Sequence, residues 1–108
     1  MADLLTEGII FFNAGRYFEA HEAWEDLWRG TRGPLRLFYQ GLVQAAVGLH
    51  HLSRDNREGA HAQVAKSLAK LEQYPASFCR VNNGRLIRDL KLVLETGRRA
   101  PVVIQKET

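Results

Sequence analysis

Cysteine is nearly missing from this 108-residue chain. With Cys79 alone, an intramolecular disulfide and a cysteine-cluster metal site are excluded, and a reducing, cytoplasmic setting is expected. Long hydrophobic runs are missing too. The most apolar stretch, Leu37 to Leu49, is broken by Gln40 and Gln44 and is too short to span a bilayer, so no membrane partner is expected. The opening M-A-D-L-L-T-E has no basic region ahead of an apolar run, so no signal peptide is expected. β-alternation of useful length is absent. No Gly-rich phosphate loop, serine nucleophile elbow or dinucleotide fingerprint occurs, so none of those chemistries is indicated.

What the chain does contain is the composition of a globular protein, 45% hydrophobic and 25% charged, in strong helical periodicity. Asp3 is positioned to cap a first helix running to about Ala14, with Gly15 as the left-handed residue that ends it. A second helix spans about Arg16 to Arg29. After the loop Gly30 to Gly33, Pro34 suits the first turn of a third helix reaching Ser53. That helix is apolar nearly all round, so it is expected at the centre, with Gly41 and Gly48 admitting a close neighbour. Asp55 and Glu58 read as a capping box for a fourth helix that stops at Pro75. Residues 76–82 read as a connector with a helical turn. Asn82 or Asn83 caps a fifth helix closed by Gly97, and Val102, Val103 and Ile104 of the 98–108 tail are expected to dock on the bundle. The expected fold is all-α, a single five-helix domain over 1–108 with tetratricopeptide-like pairing of helices 1–2 and 3–4.

The densest chemistry lies in F-N-A-G-R-Y-F-E-A-H-E-A-W-E-D-L-W-R, residues 12–29. On a wheel of 3.6 residues per turn, Tyr17, Ala20, Trp24, Leu27 and Trp28 form one apolar face. His21 and Glu25 stand on its shoulder, while Glu22 and Arg29 lie further round. The pattern F-N-x-G-x-Y-F-E-A-H-E-x-W-E-x-x-W-R, followed by F-Y-Q-G-L-V-Q-A-A-V and E-G-A, resembles the small all-helical prokaryotic proteins of the domain of unknown function 309 family. The resemblance covers roughly Glu7 to Tyr74. It implies an all-α fold with no assigned activity, and its motif falls on His21, Glu22, Glu25, Trp28, Arg29, Gln40, Gly41, Gln44, Gly59 and Ala60. The basic helix at about 83–97 and the tail inherit nothing from it.

Antiparallel packing of the second and third helices would set the stripe Arg36, Gln40, Gln44, Val47 and His51 against His21 and Glu25. A polar network is therefore expected there, since a buried polar group left without a partner costs about 1–3 kcal/mol. Three readings of it stay open. It fixes helix register only; it binds a small molecule or peptide through His21, Glu22, Glu25, Trp28, Arg29, Arg36, Gln40 and Gln44; or it belongs to an acid/base or metal-dependent, hydrolase-like enzyme using His21 and Glu25. No cofactor is required. A divalent metal is the one the residues suggest, on His21, Glu25 and His51, although H-E-x-x-E lacks the second histidine of a zinc-protease motif. An exposed Trp24 or Trp28 face would make a homodimer seam. Charge is lopsided: residues 1–53 carry four Arg against six acids, and residues 54–108 eleven Lys or Arg against six. Nucleic acid is thus an alternative partner for the C-terminal half, although these bases alternate with Leu86, Ile87, Leu90 and Val93 as on any amphipathic helix, and a solvated face is the favoured reading.

Overall fold

The computed structural model describes residues 3–107. Met1, Ala2 and Thr108, at the ends of the stretches read above as N-terminus and tail, lie outside the described residues. The elements are α1 (Leu4–Asn13), α2 (Tyr17–Arg29), α3 (Pro34–Ser53), α4 (Arg57–Leu71), β1 (Ser77–Phe78), β2 (Val81–Asn82) and α5 (Asn83–Thr96). Five helices packed as a bundle make the protein all-α in class, with a two-strand hairpin between α4 and α5.

Two helical hairpins of the same design form most of it. The Asp3 carboxylate accepts the Thr6 N–H at 2.8 Å and starts α1. α1 ends where Arg16 N–H reaches the Phe11 carbonyl and Gly15 N–H the Phe12 carbonyl, with Gly15 at φ 78°. α3 ends in the same paired bonds, Asn56 to His51 and Asp55 to Leu52, and here Asp55 takes the left-handed place at φ 59°. The expected Asp55–Glu58 capping box is therefore not formed. Asp55 is committed to closing α3, and the Asn56 side chain caps α4 by accepting the Gly59 N–H at 3.0 Å. Equivalent residues of the two hairpins stand forty positions apart, including Gly8 and Gly48, Ala20 and Ala60, Trp24 and Val64. In both, the glycine of the first helix lies under the bulky residue of the second. A Cβ on Gly8 would collide with the Trp24 indole, and one on Gly48 would sit 2.8 Å from Val64 Cγ2.

α3 is the central helix, lying between α2 and α4, with Phe38, Leu42, Ala45, Ala46, Leu49 and Leu52 buried. Trp24 is fully buried and donates Nε1–H to the Leu5 carbonyl at 3.2 Å. Ser67 of α4 donates to the Gly41 carbonyl at 2.7 Å, and a Cβ on Gly41 would sit 2.9 Å from the Leu71 side chain.

The connector after α4 differs from its reading. α4 ends at Leu71 rather than at Pro75, and residues 77–82 form an antiparallel hairpin instead of a helical turn. Phe78 packs with Phe38 and Tyr74 at ring-centroid distances of 4.9 and 4.7 Å, which sets the hairpin against the core. Asn82 caps α5 by accepting the Arg85 N–H at 3.0 Å. Asn83 is buried and donates to the Leu71 and Pro75 carbonyls, closing the end of α4. The tail docks as expected, with Val102 and Ile104 buried. It returns to α1, where the Asn13 amide both donates to Ile104 O and accepts from Ile104 N at 2.9 Å, and it pairs with β2 through a Val81–Lys106 bridge.

Candidate functional site

Phe18, His21, Glu22, Glu25 and Arg29 recur at three- and four-residue intervals along α2, so they form one stripe beside the buried Ala20–Trp24 face. His21 Nε2 lies 2.6 Å from one Glu25 carboxylate oxygen, and Arg29 binds the other. With Nε2 turned to a carboxylate, the neutral imidazole carries its proton there and keeps Nδ1 as the acceptor. The helix thus holds an oriented histidine–carboxylate pair at its surface, each side chain 27% exposed. One turn nearer the N-terminus, Arg16 hydrogen-bonds Glu19 at 2.8 Å and holds its carboxyl below the usual range.

The neighbouring wall comes from α3. Phe18 is 52% exposed, and its ring centroid lies 6.0 Å from that of His21 and 5.9 Å from that of His50. Phe18, His21, Val47 and His50 line a cleft of about 200 Å³. A second cleft of about 250 Å³ continues along α2 between Phe18, His21, Glu22, Glu25, Asp26 and Arg29. The two share Phe18 and His21, so they form one groove with an apolar end and an acidic end.

The other predicted residues are elsewhere. Trp28 pairs with Arg36, whose guanidinium lies 4.3 Å above the indole ring and donates to the Trp28 and Thr31 carbonyls. Among the described residues, no hydrogen bond joins Gln40 or Gln44 to His21 or Glu25. The expected network across α2 and α3 is thus confined to α2, apart from Arg36 on backbone carbonyls. Trp28 Nε1 and Gln44 Oε1 are buried without a hydrogen-bond partner. Helix geometry explains the placing of Gln44 and His51. Val47 and His50 both stand within about 40° of Arg36 around α3, whereas Gln44 is displaced by about 80° toward the α4 side. His51 goes the same way. It packs on Gly59, where a Cβ would sit 3.1 Å from the ring, and lies 3.4 Å from Asn56 Nδ2. It is therefore separated from His21, and among the described residues no three of His, Cys, Asp and Glu are grouped to hold a metal ion.

Neither tryptophan offers a dimer seam, because Trp24 is fully buried and Trp28 lies half-buried under Arg36. Among the described residues the large exposed apolar ones are Ile10, Phe18 and Leu92. On α5, Arg85 and Arg88 flank Asp89 at 3.7 and 3.9 Å, and Lys91 lies 3.9 Å from Glu72, so the basic helix is partly neutralised. Among the described residues no helix is long and apolar enough to cross a membrane.

Val47 stands where the expected stripe put it, facing His21, whereas Phe18 and His50 escape a reading based on polar motifs. Phe18 carries the one available signal: it is about 100° from Tyr17 on the wheel and off the apolar face, an aromatic where the helix offers it no core.

A family model described as a domain of unknown function (DUF309) matches residues 5–72. An uncharacterised protein of Aquifex aeolicus is 30% identical over 96 residues, which is 88% of this chain and 29% of that protein. The uncharacterised protein YpuF of Bacillus subtilis is 33% identical over 91 residues, 81% of this chain and 52% of YpuF. The chain therefore spans less than a third of the one relative and about half of the other.

Proposed function

The chain belongs to the DUF309 family, a family defined without an activity, and from the groove itself we propose that it is a binding module whose α2–α3 groove takes a short peptide or small ligand. Phe18 carries this reading. An exposed benzyl ring at the mouth of a cleft, flanked by two imidazoles and continuing into a stripe of carboxylates, supplies apolar contact area next to orienting polar groups. The span of the relatives agrees with it, since a module that occurs within longer chains suits recognition of another segment. The proposed place of action is the cytoplasm, in keeping with a single cysteine. Amide chemical-shift mapping with pooled short peptides tests the site. Shifts clustered on Phe18, His21, Val47 and His50 are expected; shifts confined to α5, or none, would refute it.

A second reading has one observation behind it, the 2.6 Å contact between His21 and Glu25. Acid/base chemistry at His21 would use Nδ1, the nitrogen nearer its own backbone, which places a substrate proton awkwardly. Hydrolysis of chromogenic esters or phosphates, lost in His21→Ala, would support it.

A further inference from the structure

Phe18 and Glu22 stand one turn apart on α2, and the fold explains neither. Phe18 is half exposed although Tyr17 beside it reaches the core. Glu22 is exposed, and among the described residues it makes no ion pair or hydrogen bond. The other carboxylates nearby differ in this respect. Glu19 is taken by Arg16 and drawn further by His50. Glu25 is bound by His21 on one side and Arg29 on the other, and Asp26 meets Arg29 only at 3.6 Å. The acidic end of the groove therefore presents Glu22 and, in part, Asp26 as acceptors beside an uncovered aromatic face. The cation that lines it, Arg29, is already engaged with Glu25.

On the reading of this groove as a binding site, we infer that its occupant is a basic peptide segment. The alkyl stem of a Lys or Arg lies against Phe18 and Val47, and its cationic head sits between the Phe18 ring and the carboxylates of Glu22 and Asp26. Each half of such a side chain has its counterpart. The stem is apolar and follows the apolar end of the groove. The head is attracted by the negative face of the ring and by carboxylates that lack a full partner. An acidic segment would meet the three carboxylates that line the groove, Glu22, Glu25 and Asp26, with the Arg29 guanidinium already engaged by Glu25, so the groove selects the sign of its ligand. The charge of the surrounding half-chain, six acids against four Arg over residues 1–53, acts in the same direction.

Fluorescence anisotropy with three labelled peptides of equal length, alternating Leu with Lys, Gln or Glu, tests this on the full chain. The Lys peptide is expected to bind at least about tenfold more tightly than the Glu peptide, with affinity falling as salt rises. Phe18→Ser and Glu22→Gln should each weaken it about fivefold or more, while Glu95→Gln on α5 leaves it unchanged. Both groove positions are exposed, so a melt of each variant confirms folding. Equal binding of all three peptides with shifts still at the groove would overturn the charge selection and leave the groove standing. Unchanged Lys-peptide affinity in Glu22→Gln would overturn the assignment of the head. Spermidine bound as tightly as the Lys peptide would overturn the peptide assignment. Absence of binding by every peptide, with no amide shift at Phe18, His21, Val47 or His50, would remove the groove reading as well.

Discussion

At the scale of single residues, backbone conformation and burial each create a testable effect. Cys79 and Arg80 form the two-residue turn between β1 and β2 with φ of 52° and 59°, a region that non-glycine residues enter at a cost of about 1–2 kcal/mol. Arg80 is exposed, so Arg80→Gly is expected to stabilise the protein by about 1 kcal/mol and to raise the melting temperature by several degrees; a lowered midpoint in calorimetry would show that the arginine side chain matters more than the strain. Beneath the turn, burial pushes the Cys79 thiol above its ordinary 9.0, partly opposed by a hydrogen bond to Tyr39, and burial likewise pushes the Tyr39 hydroxyl above 10.0. For both groups the folded state holds its proton more tightly than the unfolded chain. Their contribution is therefore fully present below pH 9 and is lost as pH rises through 9 and beyond. Unfolding midpoints in urea should fall between about pH 9 and 11, and fall less in Tyr39→Phe.

At the scale of elements, the helices were legible because their signals are local. Asp3, Gly15 and Pro34 mark ends that depend on one residue's dihedral angles or one side-chain bond, and all three appear in those roles. The hairpin at 77–82 was not legible, since two-residue strands have no alternation to read and form here because Phe78 packs on Phe38 and Tyr74. Docking of the tail was visible in Val102 and Ile104, but its anchor was not, because Asn13 and Ile104 are far apart in the chain and meet only in the fold. That anchor has a measurable share in the structure. Asn13→Ala removes both bonds to the Ile104 backbone and should cost about 1–3 kcal/mol, with faster amide hydrogen exchange at Ile104 and at Glu107, whose N–H donates to the Arg80 carbonyl, while α3 and α4 stay protected. Unchanged exchange in the tail would mean that Val102 and Ile104 hold it by burial alone.

At the scale of the whole molecule, polar and apolar groups converge in the groove between α2 and α3. The sequence pointed to its α2 side through His21, Glu22, Glu25 and Arg29, whose spacing along one helix is independent of packing. On the α3 side it held Val47 but took His51 for His50, and that shift of one residue decides which histidine faces α2 and which lies on Gly59. Trp24 and Trp28 were prominent as residue types, yet one fills the core and the other lies under Arg36. The molecule's architecture is accordingly held by Trp24, Phe12, Phe38 and the glycine contacts, and the groove is lined by residues that the architecture does not need. Thermal unfolding of Phe18→Ser and His21→Ala, beside Trp24→Ala, tests that separation most directly. The account predicts midpoints within about 4 °C of the parent for the two groove variants, against a loss well above 10 °C for Trp24→Ala, where a buried aromatic is removed at about 3–5 kcal/mol. Groove variants that lost stability as Trp24→Ala does would show that Phe18 and His21 hold the helices together, contradicting their assignment to binding.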